Sequence, residues 1–205
     1  MRFIDNSDFS PCRGFFLQKN LEPKKIFDSD QIHRSLKRIS HEILEKNHGA
    51  NEILLLGIHT RGVPLANRIS KLIYDTEGIF VPSVPLEINQ YRDDVTPPKP
   101  REKRPLKNTS EIRIADKTII LVDDVLYTGR SIRAAMDAIT DTGRPSKIQL
   151  AVLVDRGHRE YPIRPDYVGK NIPTSKNEKV SVLLNETDGI DEILIIHKEN
   201  KIEKN

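Results

Sequence analysis

Thr118-Ile119-Ile120-Leu121-Val122-Asp123-Asp124-Val125-Leu126-Tyr127-Thr128-Gly129-Arg130-Ser131 opens as a continuous apolar run and ends at the start of a helical pattern. A strand exposed on one face would alternate; this run does not, so it reads as a strand covered on both faces. Two carboxylates, Asp123 and Asp124, stand where that strand emerges. The helix beyond runs from about Arg130 to Thr140, and Gly143 closes it. Working outward, Ile53–Ile58 and Ile148–Val154 are two more runs of the same buried kind. His59-Thr60-Arg61-Gly62 follows the first of them and leads into a helix from Val63 to Tyr74, with Pro64 tolerated in its first turn. Val84, Leu86 and Ile88 alternate as a further strand. Strand, loop, helix and strand recur in order, so the expected fold is α/β, a mostly parallel open sheet flanked by helices. Val180–Leu184 and Ile193–Ile196 read as later strands in a small lobe.

Upstream, Asp28 and Gln31 have the spacing of a capping box, and Phe27 can pack from outside it. Ile32, Leu36, Ile39 and Ile43 then share one helical face, and Gly49 is the expected stop. Arg34, Lys37, Arg38 and His41 fall on roughly the opposite face. A solvated face is the ordinary fate of such residues, and Glu45 favours that reading over polyanion binding. Residues 1–26 show no sustained period and are expected to be an irregular N-terminal extension, with residues 27–205 as the main unit.

The 205 residues carry 33 Lys and Arg against 30 Asp and Glu, a net charge of +3, so whole-chain charge does not force binding to nucleic acid or membrane. Any polyanion site must come from local clustering. The single cysteine, Cys12, excludes an intramolecular disulfide framework and a Cys-rich zinc site. No apolar run approaches a bilayer span, and no continuous apolar leader segment is present near the start. A cytoplasmic protein with no membrane contact is the expectation. From Tyr91 to about residue 112 the rhythm breaks: Arg92 leads into Pro97, Pro98, Pro100 and Pro105 interleaved with Lys99, Arg101, Lys103, Arg104 and Lys107. Proline prevents regular pairing there, and a long basic loop with the character of a lid is expected.

Ligands of open α/β sheets bind outside the carboxyl ends of the strands. A helix start offers unpaired amides and a positive dipole end, to which Thr128 and Ser131 add hydroxyl donors for a phosphate. Gly129 allows close backbone approach. Asp123 and Asp124 would repel that phosphate, and suit sugar hydroxyls or a phosphate-bound Mg²⁺ instead. The chain contains neither G-x-x-x-x-G-K-[ST] nor G-x-G-x-x-G, so the P-loop and dinucleotide readings lose their basis.

The Asp123–Ser131 stretch resembles the phosphoribosyl pyrophosphate (PRPP) signature of type I phosphoribosyltransferases. Leu150-Ala-Val-Leu-Val-Asp-Arg-Gly-His158-Arg-Glu and Pro165-Asp-Tyr-Val-Gly-Lys-Asn-Ile-Pro-Thr-Ser-Lys176 narrow the resemblance to the PyrR family, pyrimidine operon attenuators that are also uracil phosphoribosyltransferases. It runs from about Phe27 to the end of the chain.

The resemblance implies a catalytic set of Arg61, Asp123 and Asp124. Both acids would contact the ribose hydroxyls of PRPP, indirectly or through its Mg²⁺. Val125, Leu126, Tyr127, Thr128, Gly129, Arg130 and Ser131 would surround the 5′-phosphate, and Thr60, Arg61 and Gly62 would form the pyrophosphate loop. Arg92 would serve the pyrophosphate side from the flexible loop. Arg156 and the backbone near Val180 would face the base under a hood of about residues 155–190. The implied reaction joins uracil to PRPP, giving UMP and pyrophosphate. Some purine-using relatives carry a carboxylate where Tyr127 stands, so no general base is assigned. The family's second role, UMP-responsive binding of pyrimidine operon leader RNA by a homodimer or higher oligomer, would use Arg34, Lys37, Arg38, His41, Arg159, Arg164, Lys170 and Lys176. Three alternatives stay open: an RNA regulator with little turnover, a salvage transferase without an RNA role, and a purine-using transferase, which Tyr127 disfavours.

Overall fold

The computed structural model describes residues 22–89, 91–92 and 114–197. Most of the N-terminal extension and of the proline-rich loop therefore lie outside the described residues. The elements in chain order are β1 (Lys24–Phe27), α1 (Ser29–Lys46), β2 (Ile53–Ile58), α2 (Gly62–Glu77), β3 (Ser83–Leu86), β4 (Thr118–Leu126), α3 (Arg130–Thr142), β5 (Lys147–Asp155), β6 (Tyr167–Asn171), β7 (Glu178–Leu183), α4 (Asn185–Asp188) and β8 (Glu192–His197).

Five strands make one parallel sheet in the order β3-β2-β4-β5-β6. The uninterrupted apolar runs behave as their composition requires. Leu55, Ile120, Val122, Ala151 and Leu153 face a core shared with α1 and α2, while Leu54, Leu56, Ile119, Leu121, Leu150 and Val152 face a second core beneath α3. α1 starts at the capping box read from the sequence: Asp28 accepts from the Gln31 amide at 2.9 Å, and the Gln31 side chain accepts from the Asp28 amide at 3.0 Å. Ile32, Leu36, Ile39 and Ile43 are buried on its inner face. No helix among the described residues is long and apolar enough to cross a membrane.

Two differences from the sequence reading concern the edges of the fold. β1 begins at Lys24, inside the segment expected to be irregular, and pairs antiparallel with β8. β6 was not anticipated; Tyr167–Asn171 pairs with β5 as the outermost strand of the main sheet, so part of the expected hood range belongs elsewhere. The hood is a separate antiparallel sheet, β1-β8-β7, which packs Val180, Val182, Ile193 and Ile195 onto the α1–α2 core. Arg68 of α2 clamps the turn between β7 and β8: its Nη2 donates to Glu186 Oε2 at 2.5 Å and to Asp191 Oδ1 at 2.7 Å.

Candidate active site

β2 and β4 are parallel neighbours with Gly57 opposite Val122, so the loop after one and the acids at the end of the other emerge side by side. Two glycines set how closely. A Cβ on Gly57 would stand 2.6 Å from the Gly62 carbonyl oxygen, and one on Gly62 would stand 2.3 Å from that of Val122. No other residue fits at either position. The loop is thereby pressed against β4 immediately before Asp123, the peptide bond between His59 and Thr60 being cis. Arg61 comes near enough to Asp124 for their charges to attract. Its guanidinium holds Asp188 of α4 with two bonds, Nε to Oδ2 at 3.2 Å and Nη2 to Oδ1 at 2.7 Å.

β4 continues to Leu126, so the two acids lie within its last turn of ladder rather than beyond it. Asp123 is 9% exposed. Its Oδ1 accepts from the Asp124 amide at 2.9 Å, and Asp124 Oδ1 accepts from the Val125 amide at 2.8 Å. Burial pushes both carboxyls above the usual range; the neighbouring Asp124 charge pushes Asp123 further, and Arg92 draws it partly back. Two adjacent acids held against their preference call for positive charge or donor hydroxyls. Among the described residues no group of three His, Cys, Asp or Glu side chains is disposed to hold a metal. The pair suits a hydrated Mg²⁺ whose other ligands come from a phosphorylated molecule, because Mg²⁺ keeps waters and takes only one or two carboxylates in such sites.

Beside the acids lies a cavity of about 320 Å³ lined by Arg92, Asp123 and the continuous stretch Val125–Ile132. Gly129, at φ 91°, turns the chain into α3, so the amides that begin the helix border the cavity. The Arg130 side chain points to Glu160, with Nε donating to Oε2 at 2.7 Å. Its backbone, not its guanidinium, is the part left to serve a phosphate.

The segment after β5 braces this loop. Glu160 and Tyr161 amides donate to Thr128 O at 2.9 and 3.1 Å, and the Arg156 amide donates to Leu126 O at 3.0 Å. Arg159 is part of the brace: it donates to Tyr127 O at 3.0 Å and Ile163 O at 2.9 Å, and pairs with Asp155 at 2.7 Å. The Arg159 guanidinium is turned inward onto these backbone carbonyls. Arg156, expected at the base, is only 5% exposed. Its Nε donates to Thr174 Oγ1 at 2.7 Å and its Nη2 to Glu178 O, while the guanidinium stacks on Tyr127 at 4.0 Å from the ring centroid. It props Tyr127 and fastens the start of β7. The Val180 side chain is buried in the core, and its strand β7 is the edge of the hood sheet, with one side unpaired within that sheet.

Of the other basic candidates, Arg34, Lys37, Arg38 and His41 are exposed on α1, and Arg164, Lys170 and Lys176 are exposed on the later segments. Arg38 also donates to Glu42 at 2.6 Å and to the carbonyls of Val168 and Gly169 at 2.8 and 2.7 Å. That contact brings the α1 basic face beside Lys170 on β6. Sequence reasoning missed Gly57 and Asp188. Gly57 interrupts an apolar strand, which is a signal of close backbone approach; Asp188, 127 residues from its partner Arg61, left none.

Comparison with known proteins shows the family. The family described as "Phosphoribosyl transferase domain" matches residues 24–186. The chain is 55% identical over 175 residues to a bifunctional protein PyrR of Chloroflexus aurantiacus, covering 84% of this chain and 94% of that one. It is 54% identical over 176 residues to a bifunctional protein PyrR of Clostridioides difficile, covering 85% and 98%. Among solved structures, a hypoxanthine phosphoribosyltransferase of Trypanosoma cruzi superposes with a TM-score of 0.63 at 19% identity, covering 86% and 97% of the two chains. That likeness concerns the fold.

Proposed function

The chain belongs to the phosphoribosyl transferase domain family, beside proteins named bifunctional protein PyrR, and from this premise we propose that it transfers ribose 5-phosphate from PRPP to uracil and binds pyrimidine operon leader RNA in response to UMP. The observation that carries the reading is the meeting of two loops: the Arg61 loop pressed by Gly62 against β4, and the acid pair with the cavity beside it at the end of that same strand.

The amides and hydroxyls from Thr128 to Ser131 would bind the 5′-phosphate, and Asp123 and Asp124 would orient the ribose. Thr60, Arg61 and Gly62 would gather the pyrophosphate. Mg²⁺ supplies charge neutralisation on the diphosphate when bound, with Asp123 and Asp124 as its protein-side partners. Loss of pyrophosphate makes the sugar electron-poor, so the residues that stabilise the leaving charge, Arg61 above all, carry the rate. Arg92 would join them from the start of the loop whose remainder lies outside the described residues. Uracil would lie against Tyr127, which Arg156 holds flat, and meet the backbone of the open edge near Val180.

Arg34, Lys37, His41 and Lys170 would contact RNA phosphates, with Arg164 and Lys176 as further candidates. Arg38 would join them from a side chain already tied to Glu42 and β6. Tyr74 and Phe80, 54% and 71% exposed at the end of α2, are apolar surface of the kind subunits cover, which supports a homodimer or higher oligomer in the cytoplasm.

Purified protein given Mg²⁺, PRPP and uracil should release pyrophosphate and UMP. Asp124→Asn and Arg61→Ala should each lower kcat/KM by about 10²–10³; full turnover in both would refute the assignment. Lys37→Ala with Lys170→Ala should weaken leader-RNA binding and lower its salt slope by about 1–2. An unchanged slope would remove that surface from the RNA reading and favour a transferase without it.

A further inference from the structure

Asp188 is held at a fixed place. Its Oδ2 accepts from the Leu184 amide at 2.9 Å, and Glu186 within its helix and Asp191 just after it are both clamped by Arg68. Arg61, by contrast, reaches it on a long side chain from the other wall of the site. The bond to Arg61 holds the Asp188 carboxyl below the usual range. The contact uses the Nε–Nη2 edge of the guanidinium, the edge that takes a bidentate anion, and that edge holds one such anion at a time. A diphosphate at the Arg61 loop would present the same paired oxygens with more charge. A nucleoside monophosphate in the Val125–Ile132 cavity would present nothing there.

Resting on the function proposed above, we infer that Asp188 is a positioning residue which docks Arg61 on the hood while the diphosphate side is empty and yields it when a diphosphate enters. A nucleoside monophosphate therefore leaves the Arg61–Asp188 pair closed, and PRPP or pyrophosphate opens it. PRPP and the monophosphate would share the 5′-phosphate pocket, and this ion pair is what tells them apart. The device sits where a protein that must respond to one class and not the other needs it.

The test is a double-mutant cycle read by calorimetry on the full chain, with Mg²⁺-pyrophosphate and, separately, UMP as probes. Asp188→Asn should tighten pyrophosphate about fivefold, the scale of releasing one partly exposed ion pair. UMP affinity should stay within about twofold. In the Arg61→Ala background the same substitution should change pyrophosphate affinity by less than about twofold, which separates exchange at Arg61 from the plain loss of a nearby negative charge. Asp188→Ala, predicted to shift affinity in the same direction, serves if the Asn variant does not fold. Unchanged or weaker pyrophosphate binding in Asp188→Asn, or a gain that persists without Arg61, overturns the inference. Failure of Arg61→Ala alone to weaken pyrophosphate would instead overturn the pyrophosphate loop, and this inference with it.

Discussion

The Gly62 Cα faces the Val122 carbonyl so closely that a Cβ there would lie 2.3 Å from the oxygen. The Arg61 loop and the acid pair are positioned by this contact, and a methyl group is enough to part them. Gly62→Ala should destabilise the chain by about 1–3 kcal/mol through overpacking against backbone that cannot give way. Urea unfolding measures the loss. Pyrophosphate affinity should fall with it, whereas Ala at Gly78, where a Cβ meets nothing within 4 Å, gives strain from φ 68° without touching the site.

Asp123 provides a pH signature. An acid whose folded pKa lies above its unfolded value destabilises the fold at higher pH, and the cost is relieved as pH falls through the folded value. Burial and Asp124 put Asp123 in that class. In EDTA, Asp123→Asn should raise Tm near neutral pH by about 2–4 °C, the shift produced by about 1 kcal/mol in a chain of this size. The advantage should vanish towards about pH 4, where an unfolded aspartate also protonates. Melting curves across pH decide it. An Asn variant less stable than the native chain at neutral pH would contradict the burial argument.

Arg159 should behave as a brace. Arg159→Ala leaves Asp155 without its partner and strips donors from Tyr127 and Ile163 carbonyls, so UMP affinity should drop about tenfold. Lysine should not restore it, since a single ammonium cannot span acceptors that a planar fork reaches together. Equilibrium binding of UMP to both variants provides the measurement.

Arg68 ties the hood to α2. Its hydrogen bonds hold Glu186 below the usual range; at Asp191 burial pulls upward, and the Arg68 bond, the Asn185 amide and the Arg68 charge together still leave that carboxyl below it. Acids with depressed pKa values stabilise above their unfolded pKa, and that contribution is lost as pH falls through the folded value. Arg68→Ala should therefore cost about 1–3 kcal/mol at neutral pH, partial exposure keeping it below a fully buried pair. The gap from the native chain should narrow below about pH 4. Urea titrations at pH 7 and pH 3 test both statements.

Much of this architecture was readable because its determinants are local. The capping box of α1, the doubly covered strands β2, β4 and β5, and the acid–hydroxyl–glycine sequence at the head of α3 are each contained within a dozen residues. β6 escaped because Tyr167-Val-Gly-Lys-Asn171 is a short edge strand, exposed and polar at its end, whose periodicity resembles a loop. The roles of Arg159 and Arg156 came from the family resemblance and not from a local pattern; what they touch is fixed by chain returning from elsewhere. Thr174 lies 18 residues from Arg156, and Leu126 lies 33 from Arg159. Composition can locate a cation but not its acceptor.

The hood sheet joins Lys24 to Ile195, so its first strand must wait for a partner far downstream in the chain. On the ribosome the five parallel strands can assemble while the roof over them is still missing, and contacts so distant in sequence form late. A nascent or prematurely terminated chain would thus own the acids and the phosphate pocket yet lack both Asp188 and the strand beside the base. Any gating that depends on Asp188 can begin only once the chain has passed β8, so the pairing of β1 with β8 is a later event than the forming of the pocket it roofs.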